Sequence, residues 1–241
     1  MAEFLIPAFF ISFGLSSLIV FLLFAKQYKL IRLTGIFTIA SLLFCYIAII
    51  ISSKHIPASG DFERTINIVL VLSTVGTLNS FRKDLKTISF SYWYFVLFFM
   101  FYVLFYPLEA GPSYFMYDSI WVKLFFQLRI ISIALFVYAL SVLISCIACK
   151  EKNKTALMQR ARNYTLLGAG IFLSGEFCGS VWAWLGWGDP WRWSGGFFIS
   201  TVIFILALAS SHLPAKIMLS DIKRIWYQIT LLTFILLIYT L

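Results

Sequence analysis

Charge is what this chain lacks most. Only 12% of its 241 residues are Asp, Glu, Lys or Arg, and only 10 are acidic. A soluble domain of this length carries roughly twice that share. With 61% hydrophobic residues and a mean hydropathy of +0.93, the chain has no soluble domain to build and reads as a polytopic membrane protein. The apolar runs do not alternate with polar residues, which excludes a transmembrane β-barrel and leaves an all-α helix bundle. Histidine is nearly missing, with two copies, and so is cysteine, with four. Cys45, Cys146, Cys149 and Cys178 lie in or beside apolar runs, so a secreted disulfide framework is excluded. Phosphate-loop, dinucleotide, zinc and Ser-His-Asp signatures are missing, as are carboxylate pairs of the glycosidase type. No basic stretch precedes the first apolar run and no small-residue cleavage site follows it, so that run is expected to stay as a helix.

What is present is a series of runs near the ~20 residues that a spanning helix needs. Eight spans are expected, at about 4–24, 33–52, 65–80, 88–106, 119–148, 164–184, 195–211 and 224–241, forming one transmembrane domain. The third is the weakest, short and interrupted by Thr and Ser. The fifth exceeds the bilayer core at ~1.5 Å per residue and must tilt or project. Most of the 19 basic residues fall after spans one, three, five and seven, from Lys26, Lys29 and Arg32 to Lys216, Lys223 and Arg224. By the positive-inside rule those loops are cytoplasmic, so both termini face outward. The net charge of +9 is therefore a topology signal, and no nucleic-acid partner is expected.

The densest feature is the stretch from Gly179 to Trp193. It holds Trp182, Trp184, Trp187, Trp191 and Trp193 out of eight tryptophans. On this topology it forms an outward loop at 182–195. Such a cluster is either an interfacial belt or a shelf for a flat apolar ligand. Three further groups stand out. His55 lies in an outward loop and His212 at the inner end of span seven, each a polar residue at a helix end or a metal ligand. A membrane thickness of ~30 Å separates those levels, so the two are not expected to share one iron. Lys123, Arg129 and Glu176 are ionisable residues inside spans, hence functional candidates. Arg129 and Glu176 are expected at comparable depth, either as a structural ion pair or with Arg129 facing a ligand carboxylate. Cys146-Ile-Ala-Cys149 has a thiol-redox spacing but lacks a following His, and Gly175-xxx-Gly179-xxx-Ala183 reads as a helix-packing face.

Gly179-Ser-Val-Trp182-Ala183, then Trp187-Gly188, then Trp191-x-Trp193 resembles the tryptophan-rich signature of the cytochrome c assembly proteins, a family of haem-handling membrane proteins. His212 matches that family's histidine in the span after the motif. His55-Ile-Pro-Ala-Ser resembles its Gly-His-x-Pro-x-Ser-Asn segment, and Asp118-Ser-Ile-Trp121 the start of a helix bearing an outward histidine. The similarity runs weakly from about residue 50 to 213 and is strong over 179–193. The chain departs from the pattern in three places. Ser194-Gly-Gly196 replaces Asp-Pro-Lys-Glu, Phe125 or a neighbour stands where the outward histidine is expected, and a late outward histidine has no match.

The resemblance implies a shelf of Trp182, Trp187, Gly188, Trp191 and Trp193 for haem of b type, held non-covalently or transiently. It also implies His55 and His212 as iron ligands, and Arg192, Lys123 or Arg129 as partners of the propionates. It places the chain in a bacterial or archaeal cytoplasmic membrane. There the chain works with membrane or periplasmic partners of a cytochrome assembly or redox complex, and it is not an enzyme on its own. Two alternatives are a permanent subunit of a redox complex and a non-haem anchor or sensor module.

Overall fold

A computed structural model describes residues 2–58, 60–81, 91–111, 118–147, 151–190, 195–212 and 220–240. These residues form eight α-helices and, among them, no strand. The chain divides into two compact units, Met1–Asp118 and Ser119–Leu241. No change of composition marks that boundary in the sequence.

In the first unit, α1 (Ala2–Phe24), α2 (Tyr28–Ser53), α3 (Asp61–Ser80) and α4 (Tyr92–Val103) pack in a closed ring, each against the next and α4 back on α1. Helix α2 begins before the expected residue 33, and Arg32 lies inside it. Its Nη2 donates to the carbonyl of Ser80 at 2.7 Å and its guanidinium lies 5.5 Å from the Phe81 ring centroid, which caps the C-terminal end of α3. Helix α3 begins at Asp61 rather than about 65, because Asp61 and Glu63 suit the positive end of a helix dipole. It is too polar to count among the five helices long and apolar enough to cross a membrane. Its Glu63, Asn67, Ser73, Thr77 and Asn79 are nonetheless buried. At Gly76 any Cβ would run into the ring of Tyr92, so only glycine lets α4 seat there, and Tyr92 O–H lies 3.2 Å from Thr77 Oγ1. Helix α4 is shorter than the expected 88–106, and residues 82–90 lie outside the described part.

In the second unit, α5 (Ile120–Ile147), α6 (Glu151–Trp187), α7 (Gly195–Ser211) and α8 (Asp221–Thr240) close a second four-helix ring. Helix α5 is buried on all sides from Ser132 to Leu143. Helix α6 differs most from expectation. It starts at Glu151, so the basic segment expected as a loop is helical; 151–162 is rich in Lys, Arg, Ala, Leu, Met and Gln, with no Pro or Gly to stop it. It also continues past residue 184. Trp182, Trp184 and Trp187 therefore stand on its last turns and not in the 182–195 loop. The helix ends where Gly188 adopts φ +73° and its N–H bonds the Trp184 carbonyl at 2.8 Å, with Pro190 beyond. The Gly175/Gly179 stripe faces α5. A Cβ at 179 would sit 2.7 Å from the Phe125 ring, and one at 175 would sit 3.3 Å from Leu128 Cβ. Gly168 meets Phe136 in the same way.

Candidate functional site

Two pockets lie at opposite ends of the second unit. The first is a cavity of about 270 Å³ among α5, α6 and α7. Its walls include Phe125, Arg129, Glu176, Trp182, Trp187 and Ser200. Arg129 Nε lies 3.3 Å from Glu176 Oε1, both side chains less than one-fifth exposed. A buried charge of either sign would be costly alone, and the pair holds both. Arg129 also donates through Nη2 to Ser200 Oγ at 3.2 Å, and its guanidinium lies 4.9 Å from the Phe125 centroid and 5.4 Å from that of Phe172. The pairing is incomplete: neither Arg129 Nε nor Glu176 Oε1 has a hydrogen bond of good geometry, although both atoms are buried.

Trp182 and Trp187 sit at the mouth of this cavity, with centroids 5.0 Å apart and planes at 73°. Rings so inclined present one face and one edge to a planar guest, so a flat ligand would stack on one of them. Trp187 is 55% exposed. Gly188 ends α6 beside them. Trp191, Arg192 and Trp193 lie outside the described residues. Lys123 is half-buried on α5 and is not among the residues lining the cavity.

The second cavity, about 310 Å³, lies among α6, α7 and α8. His212 is on its wall, exposed, at the end of α7. Its Nδ1 lies 3.1 Å from the Leu208 carbonyl and 3.1 Å from Ser211 Oγ. With the proton on Nδ1, as that carbonyl favours, Nε2 keeps its lone pair. Metal-binding histidines are commonly oriented in this way. Eleven residues of helix between Ser200 and Ser211, at ~1.5 Å each, put the two cavities ~16 Å apart along α7.

His55 has a different setting, in the first unit. It is 6% exposed. Its Nδ1 lies 3.1 Å from the Ile56 carbonyl and its Nε2 3.1 Å from that of Gly111, with Glu63 Oε1 at 3.7 Å. Neither nitrogen points to open space. The centre of this cluster is Glu63, fully buried, which the sequence reading did not single out. Its Oε2 accepts from the N–H of Ala58 at 2.9 Å and its Oε1 from that of Gly111 at 2.8 Å. Asn67 adds a bond to the Pro57 carbonyl at 3.3 Å. The cluster fastens two loops to the start of α3. An acidic residue in the first turn of a helix gives no sign in sequence of which backbone it will meet.

Among the described residues no three His, Cys, Asp or Glu side chains gather as a metal site. Cys149 lies outside the described part, and Cys146 is buried in α5.

The fold and these sites define an integral membrane protein of the helical class, with an aromatic, cation-bearing cavity. Its fold is similar to part of a protein of known structure. Over 97% of this chain the fold matches the cytochrome c heme lyase CcmF, with a TM-score of 0.62 and 16% sequence identity. The matched part is 44% of that protein, so the chain spans less than half of its length. No family model matches the chain, and no curated protein matches it in sequence.

Proposed function

We propose that the protein handles haem at the membrane during maturation of c-type cytochromes, with the α5–α6–α7 cavity as the place where haem rests. The observation that carries this reading is the cavity itself: aromatic rings at its mouth and, on its wall, an arginine whose buried Nε still lacks a hydrogen bond. Haem is a flat apolar disc with two carboxylates. One ring face of the Trp182–Trp187 pair suits the disc, and Arg129 suits a propionate. The motif spacing that runs on to Trp191 and Trp193, and the likeness in fold to a heme lyase, support the same reading.

The cavity offers no histidine from its own described walls, so a histidine ligand for haem held here would come from a partner protein. His212, with Nε2 available ~16 Å along α7, suits an iron at the other end of the unit, by the charge distribution the cytoplasmic one. His55, buried with both nitrogens against carbonyls, serves the loops of the first unit in this reading. When bound, haem supplies the iron porphyrin that cytochromes c require. This chain's part is to hold the ring, neutralise a carboxylate and keep water out, while a partner performs the attachment.

A second reading, a permanent subunit of a membrane redox complex, is favoured by Phe125. It stands where the resemblance expects a histidine, and its ring packs on Gly179. The test is a reduced-minus-oxidised spectrum of the purified protein, with His212→Ala, Trp182→Ala and Arg129→Leu. A haem signal that falls at least tenfold in one of them while the protein still unfolds cooperatively supports haem handling or a haem subunit. No signal in the parent protein, with a partner co-purifying, favours an anchor. Deleting the gene then separates the first two: loss of all c-type cytochromes marks maturation, and loss of one activity marks a complex subunit.

A further inference from the structure

The His212 cavity holds a chemistry that the haem reading does not use. Gln228 lies in the buried stripe of α8, between Ile225 and Leu232, and is 7% exposed. Gln228 is on the cavity wall; its Nε2 donates to the Ser210 carbonyl at 2.9 Å, while its Oε1 is buried just behind that wall and has no hydrogen bond. A polar side chain at a core position of a membrane helix is costly, and a half-satisfied one more so. On the same wall Arg224 has a buried Nε without a hydrogen bond, and its Nη1 lies 3.8 Å from Asp221. Arg162, from α6, uses only Nε, on the Ser211 carbonyl at 3.0 Å, which leaves its Nη groups for a ligand. The cavity thus presents unfilled guanidinium donors from two helices, a single opposing carboxylate and one unfilled acceptor.

We propose that this cavity binds a phosphate ester that carries a hydroxyl group. The phosphate oxygens lie between the guanidinia of Arg162 and Arg224, whose planar forks match them. The hydroxyl donates to Gln228 Oε1. Two arginines against Asp221 leave a net positive wall, which selects an anion over a neutral polar molecule. The orphaned Gln228 acceptor selects a ligand that also brings a donor, which inorganic anions without protons do not. Two sources share this chemistry: the headgroup of a hydroxylated anionic phospholipid, and free glycerol phosphate. The position of the cavity at the ends of spanning helices, beside exposed Ile222 and Trp226, suits a headgroup whose chains run along α8. The ester uses Arg162, Arg224 and Gln228 of this cavity and not His212, the wall residue that the haem reading uses.

The test uses the full chain in detergent, with bound ligand counted by native mass spectrometry. The probes are short-chain phosphatidylglycerol, phosphatidylethanol (the same diester charge without a hydroxyl), phosphatidylcholine and glycerol 3-phosphate. Phosphatidylglycerol is expected to bind ~5-fold tighter than phosphatidylethanol, the worth of one neutral hydrogen bond, and phosphatidylcholine weakest. Gln228→Met, which keeps the shape, removes the preference for the hydroxyl. Arg224→Gln weakens both anionic lipids ~10-fold. Thermal unfolding without ligand checks that both variants fold, and the comparison of lipids in the parent protein needs neither. Binding of glycerol 3-phosphate without the lipid assigns the site to a soluble ester; binding of the lipid alone assigns it to a headgroup. If neither binds, or if binding ignores both the hydroxyl and Arg224, the open donors and acceptor are met by water and the proposal is overturned.

Discussion

His55 and His212 each stand at a helix end, yet their surroundings are opposites. Around His55 the loops are closed over a buried carboxylate. Both oxygens of Glu63 are used by backbone N–H groups, and both ring nitrogens of His55 lie 3.1 Å from carbonyls. Around His212 the polar groups are left open. Arg224 Nε and Gln228 Oε1 are buried without hydrogen bonds, and the imidazole is exposed with its Nδ1 against the last turn of α7. Burying a polar group is costly unless it is bonded, so a satisfied cluster stabilises a fold, while an unsatisfied one marks a place for something else. The same residue type therefore carries opposite meanings in the two units. The Arg129–Glu176 pair lies between these extremes, with Nε and Oε1 close enough to attract at 3.3 Å but not aligned as a hydrogen bond.

The comparison breaks most easily at Glu63. Glu63→Leu removes the acceptor of two backbone N–H groups inside the first unit. It is expected to cost ~4 kcal/mol, seen as a lower midpoint of denaturant unfolding in detergent. A loss below ~1 kcal/mol would mean that the cluster is wet and not a closed fastening. Gly179→Ala comes next, at ~2 kcal/mol, because the new methyl meets the Phe125 ring. A crosslink between α5 and α6 near the tryptophan end would form less readily in that variant, since the helices must part.

The two histidines make the smallest but sharpest pair. His55→Ala is expected to cost ~1–2 kcal/mol with haem content unchanged. His212→Ala should shift stability by less than ~0.5 kcal/mol and lower haem content. The reverse pattern in thermal unfolding and absorbance would invert the assignment of roles.

Much of this was legible in the sequence, and the misses have physical reasons. The all-helical class, the apolar helix at 195–211 and the glycine face of α6 follow from hydropathy, length and the need of close helices for small residues. Hydropathy fails at Glu151–Arg162 because it measures the affinity of side chains for lipid, not the helix propensity of a charged segment. It makes α3 look weak because a helix may be polar and buried together when its polar groups find partners, as Glu63, Asn67 and Thr77 do. The tryptophans were legible as a cluster. Their placement on the last turns of α6, and the 73° between Trp182 and Trp187, were not.

By itself, the sequence determined that this chain must enter a membrane as helices, and where tryptophan, arginine and glycine fall along them. Those are properties of one segment against its solvent. Only the tertiary structure decided which polar groups are satisfied. A hydrogen bond depends on atoms brought within 3 Å from distant parts of the chain, such as Glu63 and Gly111, or Gln228 and Ser210. In sequence, Glu63 looks like one of several polar residues at a helix start, and Gln228 like a polar residue among apolar and aromatic ones. Their neighbours make one of them a fastening and leave the other with an open acceptor.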